Sequence, residues 1–164
     1  MTNETLIALL KHSGAIVSSA VEGAFRAVNR ARFVPEELKS VVYADTALPI
    51  GEGQTISQPT VVALCLEWLH VQPGDRVLDV GSGSGWTTAL LAHMVGPKGS
   101  VIGTERIPEL VSFGSKNLST YAFPQARIEQ ATQELGKPEA APFDRILVSA
   151  SAEEIPDALK QQLK

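Results

Sequence analysis

Two carboxylates and three glycines stand where a nucleotide-like ligand can be held. Residues 76–80, RVLDV, form an apolar run carrying Asp79, and Gly81, Gly83 and Gly85 follow on alternate positions before a helix-like apolar pattern begins. A second acid, Glu105, closes the next apolar run, residues 100–105, SVIGTE. Strand, tight turn and helix is the setting in which an open α/β sheet binds a cofactor beyond the carboxyl ends of its strands. Glycine permits the turn and lets a ligand lie against bare main chain. The helix start at Ser84 and Gly85 adds N–H donors and a positive dipole end for an anionic group.

The details of the turn select the ligand. The dinucleotide fingerprint needs glycine or alanine at its sixth position. Counted from Gly81 that position is Trp86, which argues against NAD and FAD. No Gly-Lys-Ser/Thr follows, so the P-loop reading fails as well. The pattern suits S-adenosylmethionine. Its carboxylate would meet the helix start, Asp79 would meet its ammonium directly or through water, and Glu105 would accept hydrogen bonds from both ribose hydroxyls, a carboxylate having two oxygens. Gly81, Ser82, Gly83, Gly85, Trp86 and Arg106 are expected beside the cofactor. The alternative is a glycine turn that only packs, with acids that only solvate strand ends.

The elements that must position these groups follow from periodicity. Residues 4–11 and 19–28 read as short helices with apolar faces, and Pro35 suits a first helical position. Residues 43–58 are rich in glycine, proline and polar side chains without a sustained period, and read as a long functional loop. A helix over 60–69 follows. Strands are then expected at 76–80, 100–105, 127–130 and 144–149, with helices at 84–95 and 108–121 between them. Ser151 and Glu154 resemble a capping box for a last helix at 153–163. Glu36-Glu37 and Glu153-Glu154 read as helix-start charges. Alternating strands and helices imply a Rossmann-like doubly wound parallel sheet of the α/β class, with an N-terminal helical segment.

Bulk properties narrow the class further. The 164 residues suggest one domain, and 44% apolar content supports a real core. We divide it into N-terminal helices and substrate loop, 1–58, and a cofactor-binding α/β core, 59–164. The net charge of −4 and the lack of a basic block argue against nucleic acid. The single Cys65, read as a small buried hydrophobe, excludes an internal disulfide and fits a reducing compartment. No apolar run approaches the ~20 residues that cross a bilayer, and the polar N-terminus lacks signal-peptide features. The expectation is a cytoplasmic protein without membrane partners. His12, His70 and His93 have no metal-ligand spacing, and Trp68 and Trp86 read as core or pocket wall.

At this point the chain resembles the protein-L-isoaspartate O-methyltransferase family. The resemblance rests on RFVPEEL at 32–38, LPIGEGQTISQP at 48–59, VLDVGSGSGW at 77–86 and APFDRILVSASAEEIPDALKQQL at 141–163. The second block discriminates, because many methyltransferases share the glycine turn. The resemblance implies transfer of a methyl group from S-adenosylmethionine to the α-carboxylate of L-isoaspartyl residues in damaged proteins, whose ester then cyclises to a succinimide. It implies Ser57 as the active-site serine. The residues alone also allow Ser57 to be the N-cap of the helix at Pro59. Residues 43–56 become part of the peptide-binding wall and a cover over the cofactor, with Gln54, Thr55 and Ile56 touching ligand.

Two departures from the family pattern stand out. Where the family has Gly-Asp-Gly contacting adenine, this chain has Ala131-Thr132-Gln133. Thr132 and Gln133 would then supply a hydroxyl and an amide in place of a charge. The family continues beyond the last block with further strands, so the sheet is expected to be C-terminally shortened. Ile146–Val148 would then lie on an exposed edge that invites self-association. A shortened, catalytically weak member acting as a binding module is the alternative function, and a different methyl acceptor is a third.

Overall fold

A computed structural model describes residues 1–151 and 154–164. The N-terminal segment holds α1 (Asn3–His12) and α2 (Ser19–Ala27), then short 3-10 turns at Arg30–Arg32 and Glu36–Leu38. Thr2 and Ser18 cap the two helices through their hydroxyls. Pro35 occupies the N-cap position of its turn, not the first helical position.

The expected long loop is not structureless. It contains an antiparallel hairpin, β1 (Leu48–Gly51) and β2 (Gln54–Ile56), in which Leu48 pairs with Ile56. Leu48, Ile50 and Ile56 are buried in the main core, so the hairpin is anchored on one face. The turn passes through Gly51, Glu52 and Gly53, all at positive φ. A three-residue strand is too short for its alternation to stand out from a polar background.

The α/β part follows: α3 (Pro59–Leu69), β3 (Arg76–Val80), α4 (Trp86–Val95), β4 (Ser100–Glu105), α5 (Pro108–Leu118), β5 (Ala126–Gln130), β6 (Arg145–Val148) and α6 (Asp157–Lys160). The sheet is parallel in the order β5-β4-β3-β6. The chain order reverses between β3 and β6, and ligand crevices of open α/β sheets form at such a point.

The two faces of the sheet are covered unequally. Val77 and Val101 face the large core built with α1 to α5, whereas Leu78, Val80 and Ile102 meet a smaller cluster with Phe143 and Leu159. The final helix is much shorter than expected, and Pro156 precedes it instead of the Ser151–Glu154 box, which lies partly outside the described residues. β6 is the outer strand of the described sheet, and Val148 is 39% exposed. Cys65 is half-buried against the core. Trp68 departs from expectation: it is 73% exposed on the outer side of α3. Among the described residues no helix is long and apolar enough to cross a membrane, and no metal-binding cluster is found.

Candidate functional site

The glycine turn between β3 and α4 is the centre of the site. Gly81, Gly83 and Gly85 all take positive φ, which disfavours any side chain there. The turn is tied to β4: Gly81 and Ser82 N–H groups donate to the Thr104 carbonyl at 2.8 and 3.1 Å. It is tied equally to α5, where Asn117 Nδ2 donates to the Ser84 carbonyl at 3.0 Å. Gly114 makes that approach possible, since a Cβ there would fall 2.7 Å from the Gly83 carbonyl oxygen.

Glu105 is 8% exposed and pinned by main chain. Its Oε2 accepts the Gly83 N–H at 2.9 Å, and Oε1 accepts the N–H groups of Arg106 and Ile107 at 2.7 and 3.0 Å. With about four lone-pair directions on a carboxylate, one on Oε2 stays free. That direction is where a ribose hydroxyl could donate.

Asp79 is held by side chains instead of main chain. It is fully buried, and its Oδ2 accepts the hydroxyls of Thr87 and Thr88, both at 2.7 Å. Ser149 Oγ donates to Oδ1 at 3.3 Å. Burial raises the Asp79 pKa, the three hydroxyls oppose that rise, and the Glu105 charge adds to it. In this structure the carboxylate is turned toward hydroxyls of α4 and Ser149. It organises the start of α4 and holds Ser149.

Two cavities meet at the turn. The larger, about 540 Å³, runs from the hairpin past Glu105 to the segment 131–136. Its volume lies in the range of sites that take nucleoside-sized ligands. The smaller, about 40 Å³, lies between Ser57, the turn and Thr87. Thr55, Gly81, Gly83 and Ser149 line both.

Of the residues named from sequence, Glu105, Arg106, Thr132 and Gln133 line the larger cavity, and Ile56, Ser57, Ser82 and Trp86 the smaller. Asp79 and Gly85 line neither. At Gly85 a Cβ would fall 2.9 Å from both the Gly114 carbonyl oxygen and Ile128 Cδ1, so close packing requires glycine there. Thr132 Oγ1 accepts the Glu134 N–H at 3.3 Å and turns its own loop. Trp86 is a buried wall, edge-on to Phe25 at 5.5 Å.

The structure removes the capping role considered for Ser57. The N-cap position of α3 is Gln58, without a side-chain cap bond. Asp45 does the capping from a distance, accepting the Thr60 N–H on Oδ1 at 2.8 Å. Beside Ser57 in the small cavity, Ser82 Oγ and Trp86 Nε1 are buried without a hydrogen-bond partner among the described residues. Buried donors seek acceptors, and a carboxylate supplies them. Sequence reading missed Ser149, Asp45, Gly114 and Arg30. Only proximity in the fold marks them.

The geometry thus joins a nucleoside-sized chamber to a small donor-lined one. A protein-family model described as "Protein-L-isoaspartate(D-aspartate) O-methyltransferase (PCMT)" matches residues 1–164. The chain is 45% identical over 162 residues to a protein-L-isoaspartate O-methyltransferase of Methanopyrus kandleri, covering 98% of this chain and 72% of the relative. A solved protein-L-isoaspartate O-methyltransferase superposes with a TM-score of 0.90 at 31% identity, over 99% of this chain and 52% of that one. This chain therefore spans about half the length of that solved protein. A putative Plasmodium falciparum enzyme of the same description, solved with S-adenosyl-L-homocysteine, gives a TM-score of 0.87 at 33% identity, over 100% of this chain and 80% of its own.

Proposed function

The chain belongs to the protein-L-isoaspartate(D-aspartate) O-methyltransferase family, and from that premise we propose that it methylates the α-carboxylate of L-isoaspartyl residues in proteins, using S-adenosylmethionine. The observation that carries this reading is the meeting of the two cavities at Thr55, Gly81, Gly83 and Ser149, with Ser57 on the wall of the smaller one.

The residues present fit the cofactor. The larger cavity has the volume, Glu105 has a free acceptor direction, and the glycine turn offers bare backbone. When bound, S-adenosylmethionine supplies a methyl group on a sulfonium centre. The remaining work falls to this chain. Glu105 orients the ribose end, and Gln133 offers an amide at the other end of the chamber. The acceptor is a carboxylate, ionised near neutral pH, so no side chain has to remove a proton. The Ser57 hydroxyl donates a hydrogen bond that fixes the acceptor in the smaller cavity, with one oxygen facing the larger. Alignment of this kind is worth several powers of ten in rate. The hairpin, anchored through Ile50 against Gly83, closes over the junction and limits water.

Transfer of labelled methyl groups to an isoaspartyl peptide, with no transfer to its aspartyl twin, tests the reading. Ser57→Ala is expected to lower turnover about tenfold to a hundredfold with an unchanged melting temperature. An active preparation indifferent to Ser57→Ala would remove the serine from the mechanism. Binding of S-adenosylhomocysteine without any turnover would favour a binding module. We also read the protein as cytoplasmic and as self-associating along β6. A strictly monomeric mass at micromolar concentration would refute the association.

A further inference from the structure

Ser57 lies between two side chains that the chemistry above leaves without a task. Arg30 is fully buried, and its guanidinium donates to carbonyls far apart in the chain. Nη1 donates to the Val42 carbonyl, and Nη2 donates to those of Thr46 and Ser57, each at 3.0 Å. The Trp86 ring lies 5.1 Å from Cζ, a cation–π contact that partly offsets the missing water. Burial still lowers the Arg30 pKa to about 10, against the opposing charge of Asp45. A charge kept in such a place needs its hydrogen bonds, and these bonds hold the segment that carries Ser57.

Asp45 works from the other side. Its Oδ2 accepts Thr60 Oγ1–H at 2.7 Å and Gln58 Nε2–H at 3.2 Å, while Oδ1 accepts the Thr60 N–H. The first N–H groups of a helix have no partner within it, and a nearby serine is a preferred one. With Asp45 in that role, the Ser57 hydroxyl is not drawn to the helix.

We propose that Arg30 and Asp45 are positioning residues for Ser57: Arg30 fixes its backbone through the carbonyl, and Asp45 caps α3 so that the hydroxyl stays available to the smaller cavity. The proposal rests on reading Ser57 as the group that orients the acceptor carboxylate. It differs from a general stabilising role because it predicts a loss that runs through one atom.

Arg30→Lys keeps the charge but replaces a planar fork by a compact ammonium that cannot span the same carbonyls. Asp45→Ala uncaps α3, whereas Asp45→Asn keeps an acceptor for the Thr60 N–H. The full chain carrying each substitution, alone and with Ser57→Ala, is assayed for methyl transfer, S-adenosylhomocysteine binding and amide hydrogen exchange. In Arg30→Lys and Asp45→Ala, kcat is expected to fall about tenfold to a hundredfold, with S-adenosylhomocysteine affinity held within about twofold. Asp45→Asn recovers most of the rate. In the Ser57→Ala background the same substitutions cost less than about twofold, since coupled residues are not additive. Amides of residues 43–60 exchange faster, while those of β3 and β4 do not change.

Equal losses with and without Ser57, or unchanged exchange over 43–60, overturn the proposal. Should Arg30→Lys fail to fold, the Asp45 pair decides, because that residue is exposed. If the parent chain transfers no methyl group, the function proposed above falls and the positioning of Ser57 for an acceptor falls with it, while the exchange data still show whether Arg30 and Asp45 hold residues 43–60.

Discussion

Gly114→Ala sets two effects of opposite sign against each other. Alanine favours a helix interior over glycine by about 1 kcal/mol, so on propensity alone the change stabilises α5. The structure argues the reverse. The new Cβ would meet the Gly83 carbonyl oxygen at 2.7 Å, Ile128 Cδ1 at 3.0 Å and the Gly85 nitrogen at 3.3 Å. Ile128 can swing away, but the other two atoms are backbone of a turn already bound to Thr104, Glu105 and Asn117. Either α5 withdraws by most of an ångström or the turn shifts. Overpacking costs about 1–3 kcal/mol, and stretching the buried Asn117–Ser84 bond about 0.5–1.5 kcal/mol more. Net destabilisation of about 0.5–3.5 kcal/mol follows, with Tm falling about 2–4 °C per kcal/mol in a domain of this size. A displaced turn also costs the ligand, so S-adenosylhomocysteine should bind at least about tenfold more weakly, or 1.4 kcal/mol. Scanning calorimetry and titration calorimetry measure the two quantities. Ser112→Ala, on the exposed side of the same helix, serves as control and should stay within about 0.5 kcal/mol. A Gly114→Ala protein with an equal or higher Tm and full affinity would refute the steric argument.

Two further outcomes follow from the acids. Glu105→Gln turns one accepting oxygen into an NH2 group facing backbone N–H donors, so it should cost about 1.5–3 kcal/mol of stability and weaken S-adenosylhomocysteine binding about tenfold or more; unchanged affinity by titration would end the ribose role. Burial raises the Asp79 pKa, so the folded protein keeps a proton that the unfolded chain releases near pH 3.9. Its contribution is full below that pH and declines as pH rises through the folded-state value. Asp79→Asn removes the decline, and its stability relative to the parent should grow with pH above about 4; a pH-independent difference in denaturant titrations would contradict this.

The legible parts of the chain were those with local causes. Strands at 76–80 and 100–105 coincide with β3 and β4, because an apolar run closed by glycine or an acid leaves little choice of period. The hairpin was not legible, because its pairing of Leu48 with Ile56 is short and its burial depends on what lies beneath. The helix expected over 153–163 is a short one, Asp157–Lys160, because a capping box signals a start but only packing decides how far a helix runs.

By itself the sequence determined the turn after β3, its placement between strand and helix, and the resemblance that points to methyl transfer. These depend on backbone freedom at glycine and on residue types at fixed spacing, both local properties. Tertiary structure alone decided what surrounds each acid. Asp79 and Glu105 both sit on apolar strands next to turns, yet one is enclosed by hydroxyls of α4 and Ser149 while the other keeps an acceptor direction at the cavity. It also decided that Ser57 is not a helix cap, because Asp45 reaches Thr60 from fifteen residues away. Burial and hydrogen-bond competition are set by neighbours distant in sequence, and no spacing rule contains them.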